Sequence, residues 1–136
     1  MPHQSSSVST VRKITEARVI TVFGCGGDRD RTKRPIMGRI AAEFSDVVIV
    51  TSDNPRTEDP EKIIDDIVPG VSEVKSDFIR IADRREAIGH ALSIALPGDV
   101  VLLAGKGHET YQEINHVKHH MDEREIVSEY LSGEKK

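Results

Sequence analysis

Cysteine is nearly absent. Cys25 is the only one in 136 residues, so no disulfide can form within the chain, and such usage fits a reducing cytoplasm. No apolar run approaches the length of a membrane span. Residues 1–10, MPHQSSSVST, lack the apolar centre of a secretory signal and are expected to be a disordered leader or an expression remnant. Internal repeats are missing, as is any low-complexity segment beyond that start. Basic charge is in short supply. There are 19 Lys and Arg against 23 Asp and Glu, a net charge of −4, which argues against nucleic acid as a partner. The common nucleotide signatures are missing too. No G-K-[ST] of a Walker loop occurs, and the glycines from Gly24 do not make G-x-G-x-x-G, because the third position falls on Arg29.

What is present is a globular composition, 37% hydrophobic and 31% charged, of a length that suits one domain over residues 11–136. After a short helical lead-in at 11–17, RVITVFG (18–24) reads as a buried strand. A helix is expected over 36–44, with Ile36, Met37, Ile40, Ala41 and Phe44 at helical spacing. A second strand follows at 46–51. Asp59 caps the next helix and Pro60 takes its first position; Ile63, Ile64, Ile67 and Val68 form its face, and Pro69-Gly70 is expected to end it. A third strand is expected at 77–82. Asp83 then caps a helix to about Leu96, and DVVLLA (99–104) is a fourth strand. Short strands at 111–114 and 117–119 suggest a hairpin around Asn115-His116, and a last helix starts at Asp122 with Ile126, Val127, Tyr130 and Leu131 facing inward.

This alternation implies an α/β fold of Rossmann-like type: three layers, a mostly parallel sheet of about six strands, helices on both faces. Ligands of such sheets bind at the carboxyl ends of the strands. The three most polar loops, at 24–35, 51–60 and 105–110, all leave such ends.

The first of these, GCGGDRDRTKRP, is a tight glycine turn with a solvated charge run, or a loop whose basic side chains meet an anion. Cys25 within it reads as a small buried hydrophobe rather than a nucleophile. In TSDNPRTEDP, Asp53 or Asn54 can close an Asx turn stiffened by Pro55. Arg56 adds a second reading. A guanidinium on a rigid turn suits a carboxylate, and Asp53 and Asn54 beside it suit an ammonium, a pairing that matches one end of an amino acid. GKGHET offers close backbone approach at Gly105 and Gly107, and Glu109 could join the same ammonium. His108 lacks a second ligand at metal spacing, and HVKHH, with His116, His119 and His120, reads as exposed polar sequence, so no metal site is expected.

Taken in order, GCGGDRDRTKRPIMG, TSDNPRTEDP, AGKGHETYQ and DEREI resemble the carboxyl-terminal domain of the Mur ligases, over residues 11–131. DNPR resembles the form found in diaminopimelate-adding members, whereas lysine-adding members lack the arginine. The resemblance implies ATP-driven amide formation, in which a substrate carboxylate becomes an acyl phosphate and an incoming amine attacks it. For this domain it implies binding of meso-diaminopimelate and closure over the nucleotide. Arg56 would meet the distal carboxylate. Asp53, Asn54, the Gly105 backbone and Glu109 would hold the distal ammonium, and Pro55 would belong to the same diaminopimelate site. Arg29 would meet the carboxylate beside the reacting amine, and Asp28, Lys33 and Arg34 would approach the nucleotide. ATP and Mg2+ would be held mainly by the family's central domain, and the nucleotide-sugar by its amino-terminal domain. Neither domain is recognisable in this sequence, so the chain alone is expected to be inactive, with no tightly bound cofactor of its own. Two other readings stand beside this one. The first is a free-standing module binding diaminopimelate or a similar zwitterion. The second is a dinucleotide-binding oxidoreductase domain, which the glycine spacing disfavours.

Overall fold

The computed structural model of the chain describes residues 17–104, 111–114 and 116–132. The expected leader at 1–10, nearly all of the expected lead-in, and the loop with Gly105, Lys106, His108 and Glu109 lie outside the described residues.

Strand β1, Val19–Phe23, is buried at all five positions, as a β-branched run at the middle of a covered sheet should be. It pairs in parallel with β2 (Val47–Val50) on one side and β4 (Val100–Ala104) on the other, while β2 pairs in parallel with β3 (Ile79–Arg80). The sheet order is β3-β2-β1-β4. Helices α1 (Arg34–Phe44), α2 (Pro60–Ser72), α3 (Arg84–Ile94) and α4 (Glu123–Ser132) complete the layers. Alternation along β1 feeds two cores. Phe23 packs with Ala41 and Ala42 of α1 and with Ile63, Ile64, Ile67 and Val71 of α2. Ile20 and Val22 pack with Ala87, Ile88 and Ala91 of α3 and with Ile126 of α4. The α/β class with helices on both faces is therefore as expected.

The strand count differs from the expectation. Among the described residues four strands form the parallel sheet, and β5 (Tyr111–Ile114) and β6 (Val117–His120) form a separate antiparallel pair. The pairing is local, because a two-residue connection brings the two strands face to face, with His116 at φ 68° in the left-handed region. Strand β3 is two residues long rather than six. Beyond it Ile81 still donates to the Val50 carbonyl, but the Ala82 carbonyl is taken by the Ser52 and Thr51 hydroxyls, so the chain turns away from the ladder.

Helix α2 does not end at Pro69-Gly70 but runs on to Ser72 with Pro69 inside it. Tertiary packing outweighs the proline signal. A Cβ on Gly70 would lie 1.7 Å from the Pro35 carbonyl oxygen, and Val71 is fully buried in the first core. Helix α3 stops at Ile94, two residues before Leu96, because Ala95 is already extended (ψ 138°) and Pro97 disfavours helical backbone at the residue before it. Leu131, expected inward, is 75% exposed, since α4 meets α3 through Ile126, Val127 and Tyr130.

The chain runs outward from β1 through β2 to β3, then returns to place β4 on the other side of β1. The direction of winding reverses between β1 and β4, the position at which open parallel sheets bind ligands.

Candidate functional site

The loops leaving β1 and β2 are locked together. A Cβ on Gly24 would lie 2.6 Å from the Thr51 carbonyl oxygen, and one on Gly27 would lie 1.8 Å from that of Pro55. Only glycine permits this approach. The Gly27 amide donates to the Asn54 carbonyl at 2.7 Å, and Arg56 Nη1 donates to the carbonyls of Gly27 at 3.0 Å and Asn54 at 3.3 Å. Thr57 Oγ1 donates to Asp28 Oδ1 at 2.6 Å, and the Asp28 amide donates to the Glu58 carboxylate. Asp28 sits at φ 56°, also in the left-handed region.

Arg34 fastens this unit from below. It is 1% exposed, and its terminal nitrogens donate to both Glu58 oxygens, to Asp66 Oδ2 and to the Gly26 carbonyl, at 2.9–3.0 Å. Arg31 donates to both oxygens of Asp66 from the solvent side. The hydrogen bond from Arg34 holds the Glu58 carboxyl below its ordinary value, and that from Arg31, with Arg34 behind it, does the same for Asp66. Burial pushes the Cys25 thiol up to about 12, so Cys25 is a small core side chain and not a nucleophile.

The residues singled out from the sequence fall into three groups. Asp53, Asn54 and Pro55 are buried at the root of their loop. Arg56 is half-buried. The Glu58 amide bonds the Pro55 carbonyl to close a tight turn, with Arg56 at φ 53° as its first central residue. Left-handed backbone costs a non-glycine residue about 1–2 kcal/mol. The two carbonyl bonds to Nη1 offset that strain and fix the plane of the guanidinium. Asp28, Arg29 and Lys33 are exposed, and Arg34 is the buried clamp just described. Gly26 lies close to two of these arginines: a Cβ there would stand 2.8 Å from Arg56 Nη1 and 3.7 Å from Arg29 Cγ. The loop-to-loop packing thus brings two arginine side chains, 27 positions apart in the sequence, beside one glycine. Gly105 and Glu109 lie outside the described residues. His116 is exposed in the hairpin turn, and His119 and His120 belong to β6.

One residue at this edge was not singled out from the sequence. Arg84, the first residue of α3, is 1% exposed. Its Nε donates to Glu123, Nη1 to the Ser52 carbonyl and Nη2 to the Ala104 carbonyl, the last two at 3.0 Å. The sequence did hold a signal. A cation directly after the cap Asp83 opposes the helix dipole, so it needs another reason to be there.

Most of the amides and carboxylates described at this junction are committed to contacts within the protein. The Gly27 and Asp28 amides serve loop contacts, so neither is turned out towards a phosphate. Glu58 and Asp66 are held by arginines, and among the described residues no group of three or more His, Cys, Asp or Glu could hold a metal ion. Among the same residues no helix is long and apolar enough to cross a membrane.

The family described as Mur ligase, glutamate ligase domain, matches residues 4–107. A UDP-N-acetylmuramoyl-L-alanyl-D-glutamate--2,6-diaminopimelate ligase of Clostridium tetani is 56% identical over 122 residues, 90% of this chain and 25% of that protein. The protein of the same name from Clostridioides difficile is 52% identical over 92% of this chain and 26% of its own length, and that from Aquifex aeolicus is 53% identical with the same coverage. A solved structure titled as that ligase superposes with a TM-score of 0.87 at 44% identity, covering 97% of this chain and 28% of the other. The chain thus spans about a quarter of the length of the curated relatives it matches.

Proposed function

This chain belongs to the Mur ligase family, and on that premise we propose that it serves as the carboxyl-terminal domain of a meso-diaminopimelate-adding ligase, binding the incoming amino acid at the carboxyl edge of its sheet. The observation that supports this reading is that Arg29 and Arg56, from two different loops, both come up beside Gly26. Diaminopimelate has two carboxylates, and two arginines at one loop junction can offer a guanidinium to each. Arg56 takes the distal carboxylate, and Arg29 the one beside the reacting amine. Asp53, Asn54, the Gly105 backbone and Glu109 hold the distal ammonium, while Pro55 stiffens the turn that carries Arg56. Lysine lacks the distal carboxylate and would leave Arg56 without a ligand partner, which is a basis for selectivity.

In this reading Arg34 acts through the loop it clamps, and Asp28 and Lys33 face the nucleotide when the parent ligase closes. ATP and Mg2+ are seated mainly in the central domain, and the nucleotide-sugar in the amino-terminal domain, of a cytoplasmic enzyme of peptidoglycan precursor synthesis. This chain's part is to bind and orient the amine donor. Neither nucleic acid nor membrane enters.

The test is Arg56→Lys in the whole ligase. A forked donor becomes a point charge. The expected loss in kcat/KM for diaminopimelate is about 1.5–3 kcal/mol, with the KM for ATP unchanged. Unchanged kinetics with diaminopimelate would place the distal carboxylate elsewhere and remove Arg56 from the site.

A further inference from the structure

The loop that carries Asp53 leaves β2, and the segment that begins at Gly105 leaves β4, with β1 between the two strands. Backbone pairing therefore ties one loop root to the other only indirectly, through β1. One side chain reaches both. Arg84 Nη1 donates to Ser52, the residue before Asp53, and Nη2 donates to Ala104, the residue before Gly105, at 3.0 Å each. Ser52 lies past the end of β2 and Ala104 is the last residue of β4. Backbone carbonyls at such positions run out of ladder partners and need another donor. The third arm of the fork, Nε, is held by Glu123 at the start of α4. The whole group is buried, with Arg84 at 1% and Glu123 at 8% exposure.

We propose that Arg84, oriented by Glu123, is a positioning residue that sets the spacing between the carboxyl ends of β2 and β4, at Ser52, which leads into Asp53 and Asn54, and at Ala104. The planar guanidinium is the reason the residue is arginine. Two carbonyls and a carboxylate in three directions can be met at once by its five fixed donors, whereas a lysine ammonium is a single point and cannot span them. The buried pair thus governs geometry at the edge without touching a ligand. For the identity of that ligand, and only for that, the proposal rests on the diaminopimelate reading above.

The test compares Arg84→Lys and Glu123→Gln with the wild-type chain by backbone amide relaxation. Arg84→Lys keeps the charge opposite Glu123 but gives up at least one carbonyl. It is expected to lower the order parameters of Ser52, Asp53 and Ala104 from about 0.85 towards 0.6, while Val22 and Ile64 stay rigid. Glu123→Gln keeps an acceptor for Nε, so both carbonyl bonds persist and the change at the same amides is smaller. Order parameters unchanged at either loop root in Arg84→Lys, a drop spread evenly over both cores, or a larger effect in Glu123→Gln would each overturn the proposal. The binding arm titrates meso-diaminopimelate into the same proteins, with an expected weakening of about tenfold for Arg84→Lys. If the wild-type chain bound no diaminopimelate, the ligand reading would fail, and the relaxation data would still decide the role of Arg84.

Discussion

Gly27 lies against Pro55 so closely that a Cβ on the glycine would come within 1.8 Å of the proline's carbonyl oxygen. Two loops from neighbouring strands meet at this contact, and the neighbouring glycine has a different task. At Gly26 a Cβ would meet the end of a flexible side chain, Arg56 Nη1 at 2.8 Å, rather than backbone. The two glycines should therefore separate stability from binding. Gly27→Ala must push two backbones apart and should lower unfolding stability by about 3 kcal/mol, the upper range for overpacking. Gly26→Ala should leave stability within about 1 kcal/mol of wild type and weaken diaminopimelate binding, because Arg56 is displaced. Denaturant titration of both variants, with ligand titration alongside, checks the pair. Equal stability losses would contradict it.

The clamp around Arg34 should show itself at acid pH. The folded state holds the Glu58 carboxyl below its ordinary value of 4.5 and that of Asp66 below 3.8. A carboxyl with a depressed folded value stabilises the protein fully above its unfolded value, and that contribution is lost as pH falls through the folded one. Stability should hold as pH drops towards 4.5, then decline below it. Glu58→Gln should cost about 1.5–3 kcal/mol at neutral pH, the range for hydrogen bonds to charged groups. Its deficit against wild type should shrink below pH 4.5, as Glu58 becomes protonated in wild type. Melting temperatures from pH 7 down to 3 read this directly. A deficit independent of pH would remove the charge from the explanation.

Cys25 should be silent. It is 4% exposed, and its thiol is pushed up to about 12, so almost no thiolate exists at pH 8. A colorimetric disulfide reagent should label the native chain only on the timescale of unfolding, and label it at once in denaturant. Stoichiometric labelling of the folded protein within seconds would contradict the burial.

The parts of the fold that could be read in the sequence are those set by local pattern. The β-branched runs at β1, β2 and β4 mark buried strands, and Asp59 and Asp83 mark the starts of α2 and α3, as their side-chain caps bear out. Where a distant contact outweighs the local signal, the sequence misled. Pro69 reads as a helix end, yet Gly70 packs on Pro35 and the helix continues. The loops after β1 and β2 could be placed together at one edge of the sheet because both leave the carboxyl ends of strands. Their interlocking could not be read, because it depends on Gly27 meeting Pro55 and on Arg34 meeting Glu58 and Asp66, pairs that no spacing rule connects. Arg84 escaped for the same reason. Its three partners lie at positions 52, 104 and 123.

The central claim, that this edge reads both ends of diaminopimelate, is tested most directly by a crystal structure of the chain, or of the ligase that contains it, grown with meso-diaminopimelate. The account predicts one carboxylate within about 3 Å of the Arg56 guanidinium, the other within the same reach of Arg29, and the distal ammonium beside Asp53 and Asn54. Diaminopimelate bound with neither carboxylate on Arg56, or bound on another face of the sheet, would contradict it.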